Sequence, residues 1–331
     1  METIIDMQTN VILEGNCLET LSTLPDNSVH TCITSPPYWG LRDYGHDDQL
    51  GLEPTPEEYV QNLVEVFREV RRVLRDDGTL WLNIGDTYVS NQGDRNKVGG
   101  FQANPDPDRS KAESAMSFKK RVGDLKPKDL VGIPWMVAFA LRKDGWYLRQ
   151  DIIWNKPSVM PESVQDRCTK SHEYIFLFSK SQKYYFDNES IKEPATSTDN
   201  SFRNRDITKL NNTPGRTRMG GLTTNHYETR NKRSVWTIPT KPFKGAHFAT
   251  YPPALIEPCI LAGSPEDGIV LDPFFGAGTT GLVALENNRQ YIGCEINPEY
   301  IKIAEERLKP VVKNIENEKI STSIVNEYFT F

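Results

Sequence analysis

The chain has 331 residues, of which 37% are hydrophobic and 10% aromatic, enough for a full α/β core and a second, smaller region. No run approaches the ~18 apolar residues of a membrane span, no signal-type start is present, and five scattered cysteines without a C-x-x-C pair give no disulfide or zinc framework, so a cytoplasmic chain with reduced thiols is expected. The net charge of −6 divides unevenly: residues 200 to 235 carry eight Arg or Lys against Asp206 and Glu228, a local +6 that leaves −12 for the remainder and suits either phosphate contacts or a solvated loop.

In chain order, Val11 to Asn16 reads as a strand, Cys17 to Leu24 as a short helix, and Val29 to Thr34 as a buried strand ending in Ser35-Pro36-Pro37-Tyr38-Trp39-Gly40. Consecutive prolines fix φ twice and remove two N–H donors, so the chain leaves the sheet extended, with carbonyls free to accept beside a hydroxyl and aromatic rings. Such a set can grip a flat heterocycle or simply stiffen a loop. The polar loop from Gly40 to Leu52 follows. Thr55-Pro56-Glu57-Glu58 is a capping box, and Tyr59, Val60, Leu63, Val64, Phe67, Val70, Val73 and Leu74 recur at helical spacing. Asp76-Asp77-Gly78 is expected to end that helix before a strand from Thr79 to Ile84. Residues 86–128 read as a mobile polar insertion.

Helical spacing returns from Leu130 to Leu141, and Leu148 to Trp154 is a strand running into Asn155-Lys156-Pro157. Beyond Ser158, Glu173 to Phe178 and Tyr184 to Phe186 are strand-like, whereas residues 187 to 233 lack periodicity. Ser234 to Ile238 resumes core-like sequence, and a helix spans Ala254 to Ala262. Ile269 to Leu271 is a buried strand, Gly276-Ala277-Gly278 a tight turn, and Thr279 onward a helix. The next strand ends on Glu295, about twenty residues beyond the glycines, where a carboxylate can accept from ribose hydroxyls. This is a βαβ nucleoside half-site. Asn297-Pro298 caps a last helix to Leu308, and the tail from 311 to 331 is uninformative.

Ser35-Pro36-Pro37-Tyr38 after an apolar strand, with Asp272-Pro273-Phe274-Phe275-Gly276-Ala277-Gly278-Thr279-Thr280 later, resembles the DNA amino-methyltransferases that use S-adenosylmethionine. The order, target-base motif first and cofactor motif last, looks like their permuted β class. The resemblance implies a Rossmann-like α/β methyltransferase fold with an inserted target-recognition region. The expected division is 1–157 and 236–310 for the catalytic domain and 158–235 for recognition.

It further implies S-adenosylmethionine as cofactor, no metal, and duplex DNA as partner, with a cognate restriction endonuclease not physically required and a monomer or homodimer equally open. Ser35, Pro36, Pro37 and Tyr38 would be catalytic, the first two accepting both hydrogens of an exocyclic amine. Asn16, His247, Ala249, Thr250, Asp272, Phe274, Phe275, Gly276, Gly278, Thr279 and Glu295 would bind cofactor. Asn16 stands where the family often has Asp, and accepts without the charge.

For DNA, Trp39, Arg42, Trp154 and Lys156 are candidates near the target base, with core Trp and surface Lys as the alternative. Arg203, Arg205, Arg216, Arg218, Arg230, Lys232 and Arg233 are candidates in the basic segment. Serine ahead of Pro-Pro-Tyr favours the cytosine N4 amine over adenine N6 by family association. A silent DNA-binding module on the same fold is the competing class. Cys259, in an apolar helix, is read as core and not as a nucleophile.

Overall fold

A computed structural model describes residues 7–41, 46, 48–89, 124–159, 161–195, 228–240 and 250–328, with side chains as far as 315 in the last helix. Arg42, Arg203, Arg205, Arg216, Arg218, His247 and Ala249 lie outside the described residues, as does most of the 86–128 insertion. The chain divides into two compact units, Met1–Asp187 with Ser234–Phe331, and Asn188–Arg233.

The larger unit is built on one eight-stranded sheet. Its elements are β1 (Val11–Glu14), α1 (Cys17–Ser22), β2 (Val29–Thr34), α2 (Pro56–Val73), β3 (Leu74–Ile84), α3 (Ile133–Lys143), β4 (Tyr147–Asn155) and β5 (His172–Ser179). After the smaller unit, with β6 (Glu193–Pro194) and β7 (Thr229–Arg230), come β8 (Val235–Thr237), α4 (Pro253–Gly263), β9 (Ile269–Asp272), α5 (Thr279–Glu286), β10 (Gln290–Glu295) and α6 (Pro298–Tyr328). The strand order is β1-β10-β9-β2-β3-β5-β4-β8. From β1 to β3 all neighbours are parallel, and β5 runs antiparallel between β3 and β4. The fold is the α/β arrangement expected of a methyltransferase, with the last strands of the chain placed between the first two.

The apolar runs explain this order. β2 and β9 are buried along nearly their whole lengths, as strands covered on both faces must be. Leu80 and Leu82 of β3 join a core cluster with Leu63, Phe67 and Val70 of α2 and Val137 and Leu141 of α3. Trp81, between them in the alternation, serves the other face, where a Cβ on Gly263 of α4 would lie 2.9 Å from its indole nitrogen. The capping box of α2 forms as expected, with the Thr55 hydroxyl accepting from the Glu58 amide at 3.1 Å.

Several boundaries differ from the expectations. β3 begins at Leu74, immediately after α2, so Asp76-Asp77-Gly78 lies within the strand segment. Tyr184 to Phe186 does not pair as a strand; Phe186 instead stacks on Trp81, with ring centroids 6.1 Å apart. α6 continues through Pro310 to Tyr328, since a proline removes one helical N–H without forbidding the turns that follow. The smaller compact unit, Asn188–Arg233, lies within the 158–235 expected for recognition, and β5 carries its buried Ile175 to Phe178 into the main sheet. Within that smaller unit β6 and β7 pair antiparallel, and Glu193 accepts from the Nε of both Arg230 and Arg233 at 2.9 Å. Among the described residues, no helix is long and apolar enough to cross a membrane.

One cross-strand bond yields a pH prediction. The Ile269 amide at the start of β9 donates to His30 Nδ1 on β2 at 2.9 Å, which requires a neutral imidazole. Burial, then the charge of Arg75, holds the His30 pKa below its usual value. The unfolded chain therefore binds the proton first, and this contribution to stability is present above the usual pKa of about 6.5 and lost as pH falls below it. Unfolding followed from pH 7 to 5 should show declining stability in the native protein and a flatter profile in His30→Leu. An identical slope in both proteins contradicts the assignment.

Candidate active site

The site forms where β2 and β9 end side by side. Thr34, the last residue of β2, donates its hydroxyl to Asp272 Oδ1 at 2.6 Å, joining positions 238 residues apart. The Asp272 carboxylate, 1% exposed, also accepts the Phe274 amide at 3.0 Å, the Thr280 hydroxyl at 2.5 Å and the Tyr251 hydroxyl at 3.0 Å. Burial pushes its pKa up, and these donors oppose the shift. Asp272 was expected to touch the cofactor. Its oxygens instead face protein donors and it does not line the cavity, so it ties β2, the glycine turn and the segment before α4 together.

That cavity, of about 500 Å³, is lined by both motifs at once: Ser35 to Tyr38 on one hand, and Phe274 to Ala277, Thr279 and Glu295 on the other. Gly276 and Gly278 have φ of +52° and +75°, the left-handed region that favours glycine. A Cβ on Gly276 would meet nothing within 4 Å, whereas one on Gly278 would lie 2.9 Å from the Ala304 Cβ of α6. The first glycine leaves room at the cavity; the second lets the helices close. The Gly276 amide donates to Glu295 Oε2 at 2.7 Å and the Asn297 amide to Oε1 at 2.9 Å. Glu295 therefore reaches the cavity with its orientation fixed, its pKa raised by burial and lowered by these amides.

Other expected cofactor residues have mixed roles. Asn16 lines the cavity, but its side-chain oxygen caps α1 by accepting the Leu18 amide at 2.9 Å. Thr250 lines the cavity. Thr279 does too, while its hydroxyl accepts from Arg307 at 2.8 Å. Phe275 touches the cavity yet is 3% exposed, stacked on Tyr291 at 5.4 Å, and so close to β10 that a Cβ on Gly293 would lie 2.3 Å from its ring.

On the target side, the Tyr59 hydroxyl of α2 donates to the Pro37 carbonyl at 2.8 Å. The Pro36 carbonyl meets no donor among the described residues, which leaves it available to a ligand. Tyr38 packs its ring against Gly85, where a Cβ would lie 2.6 Å away, and donates its hydroxyl to Glu173 at 2.9 Å. Burial, then the Glu173 charge, pushes the phenol well above its usual pKa, so it stays a donor.

Trp39, expected to face DNA, is 6% exposed in the core cluster, its indole N–H donating to the Glu53 carbonyl at 2.9 Å. Trp154 and Lys156 do line the cavity. Trp154 is buried, with its indole N–H on the Ile238 carbonyl, and Lys156 forms an ion pair with Glu173 and sits 4.2 Å from the Trp154 ring centroid. Asn83, Glu173 and Tyr251 carry no functional signal in the sequence beyond polarity at the edge of an apolar run, as where Glu173 precedes Tyr174-Ile175-Phe176, and many solvated residues share it; Tyr59 reads only as part of the buried face of α2.

Comparison with known proteins agrees with this geometry. Residues 29–306 match the family described as DNA methylase, of the N6/N4 type. The Type II methyltransferase M.XycI of Xanthomonas campestris pv. cyanopsidis is 50% identical over 308 residues, covering 92% of this chain and 90% of the relative. M.Cfr9I of Citrobacter freundii is 48% identical, covering 94% and 91%. Among solved structures, the cytosine-N4-specific PvuII DNA methyltransferase superposes with a TM-score of 0.58 at 20% identity, over 94% of each chain. A Thermus thermophilus protein in complex with S-adenosyl-L-methionine gives 0.55 at 24% identity, over 91% of this chain and 93% of that one. With its two motifs gathered on one cavity and a family match spanning most of its length, the chain belongs to the N6/N4 DNA methylases.

Proposed function

We propose that the protein transfers a methyl group from S-adenosylmethionine to the N4 amine of a cytosine flipped out of duplex DNA. The observation that carries this reading is the shared cavity, which brings the Ser35 hydroxyl and a Pro36 carbonyl that meets no donor among the described residues beside a carboxylate and an open glycine turn. The residues fit a nucleoside cofactor: Glu295 has acceptor capacity left for ribose hydroxyls, and no side chain crowds Gly276. Bound there, S-adenosylmethionine supplies an electrophilic methyl on a positively charged sulfur.

The rest of the chemistry belongs to the chain. An aryl amine delocalises its lone pair into the ring and is a weak nucleophile. Ser35 Oγ and the Pro36 carbonyl accept its two hydrogens, favouring the pyramidal form and fixing its direction of attack. The amine would gain the methyl carbon as the carbon–sulfur bond breaks to leave a neutral thioether, and the cationic amine so formed would release one of the two protons held by Ser35 and Pro36 to water. Tyr59, by occupying the Pro37 carbonyl, and Gly85, by seating the Tyr38 ring, keep the loop in shape. Unstacking the base costs a few kcal/mol, which contact with Tyr38 helps offset.

The basic segment within 158–235 positions the duplex, its charge moderated where Arg230 and Arg233 share Glu193. Cytosine is assigned over adenine by the family association of serine ahead of Pro-Pro-Tyr, here Ser35 before Pro36-Pro37-Tyr38. A cognate endonuclease accords with the Type II names of the relatives, though the site does not require one.

Expression in a host free of DNA methylation, followed by base-resolved sequencing, should reveal N4-methylcytosine in one sequence context. N6-methyladenine would replace the cytosine assignment, and unmodified DNA would overturn the enzyme reading. Ser35→Ala should lower kcat by about a hundredfold while leaving cofactor affinity unchanged. Glu295→Ala should instead weaken cofactor binding about tenfold or more. Calorimetry with single-turnover kinetics separates the two, and loss of cofactor affinity in Ser35→Ala contradicts the division of roles.

A further inference from the structure

Beside the Ser35-to-Tyr38 loop the cavity carries a charged pair to which the mechanism above gives no part. Glu173, near the start of β5, accepts Lys156 on one carboxylate oxygen and the Tyr38 hydroxyl on the other at 2.9 Å. The Asn83 amide lies 3.5 Å from the same oxygen as Tyr38. Both oxygens thus face protein donors. Lys156 is the reverse case, since an ammonium has three N–H donors and no acceptor. One donor goes to Glu173, the group lies over the Trp154 ring at 4.2 Å, and the side chain is only 18% exposed at the cavity wall. A partly buried ammonium with donors remaining needs acceptors in what the cavity holds.

The edge of a target base supplies them. When the amine of cytosine gives its hydrogens to Ser35 and Pro36, the rest of that edge shows only acceptors, N3 and then O2. We propose that Lys156 donates to the ring nitrogen next to the amine-bearing carbon, and that Glu173 is a positioning residue that fixes both Lys156 and Tyr38.

The inference rests on the reading of the cavity as an amine-methylating site and deepens it. Thymine, which carries N–H at the corresponding position, would turn a donor toward a donor and be rejected. Glu173 has a second consequence. An isolated ammonium would oppose the positive charge that develops on the amine during transfer, and the adjacent carboxylate cancels most of that repulsion.

The test uses duplexes containing the site methylated by the native enzyme, with the target cytosine intact or replaced by 3-deazacytosine; 1-deazaadenine serves if the methylated base is adenine. If no natural duplex is methylated, the amine-methylating reading itself fails, and this inference falls with it. Given activity, the deaza base should lower kcat/KM of the native enzyme about ten- to a hundredfold. Lys156→Met and Glu173→Gln should each lose most of that penalty, while binding S-adenosylmethionine as the native protein does, which reports an intact fold. An equal penalty in native enzyme and variants overturns the proposal. So does the absence of a penalty in the native enzyme, a result that needs no variant to fold.

Discussion

The buried carboxylate of Asp272 is the constraint on which the site depends. At 1% exposure it cannot rely on water, so every lone pair must find a donor within the protein. Those donors come from the end of β2, the turn after β9, the first turn of α5 and the segment before α4. Each is thereby held within about one hydrogen-bond length of the same group. Leaving a buried donor unpaired costs about 1–3 kcal/mol, so the arrangement resists any separation of the target loop from the cofactor turn. The cost of burying the charge shows in the raised pKa of Asp272 and is accepted for geometry.

From that tie the two halves of the site follow with little further specification. On the β9 side, left-handed Gly276 exposes a backbone that no described side chain crowds, and Glu295 is aimed by two amides. On the β2 side, two prolines remove two donors from the loop, and Tyr59 occupies one of the two prolyl carbonyls. What remains available is a carbonyl, a hydroxyl and a ring. The halves differ in chemistry as their ligands differ, one offering a carboxylate to hydroxyls and the other acceptors to an amine. Because β2 and β9 are neighbours in a parallel sheet, both open at the same edge.

Local signals made much of this legible in the sequence. The glycine turn, the carboxylate of Glu295, the rigid Ser35-to-Tyr38 loop and the apolar face of α2 are all written within about twenty consecutive residues each. What escaped depends on distant partners. Nothing near Trp39 says that Glu53 takes its indole N–H, or that Trp154 and not Trp39 reaches the cavity. Asp272 reads as a ligand beside a glycine turn, and only the convergence of Thr34, Tyr251 and Thr280 shows that its oxygens are already engaged. β5 carries a core run typical of a buried strand, yet its membership in the main sheet depends on antiparallel pairing with β3 and β4. The compact unit that starts at Asn188 has no such run to mark it.

The central claim is spatial, that one cavity seats the methyl donor and the target amine together. A crystal structure with S-adenosyl-L-homocysteine, the demethylated product, tests it directly. The account predicts density between Gly276 and Glu295, with the ribose on the Glu295 carboxylate and the sulfur turned toward Ser35 and Pro36. A ligand bound away from Glu295, or one whose sulfur faces away from the Ser35 loop, would contradict it.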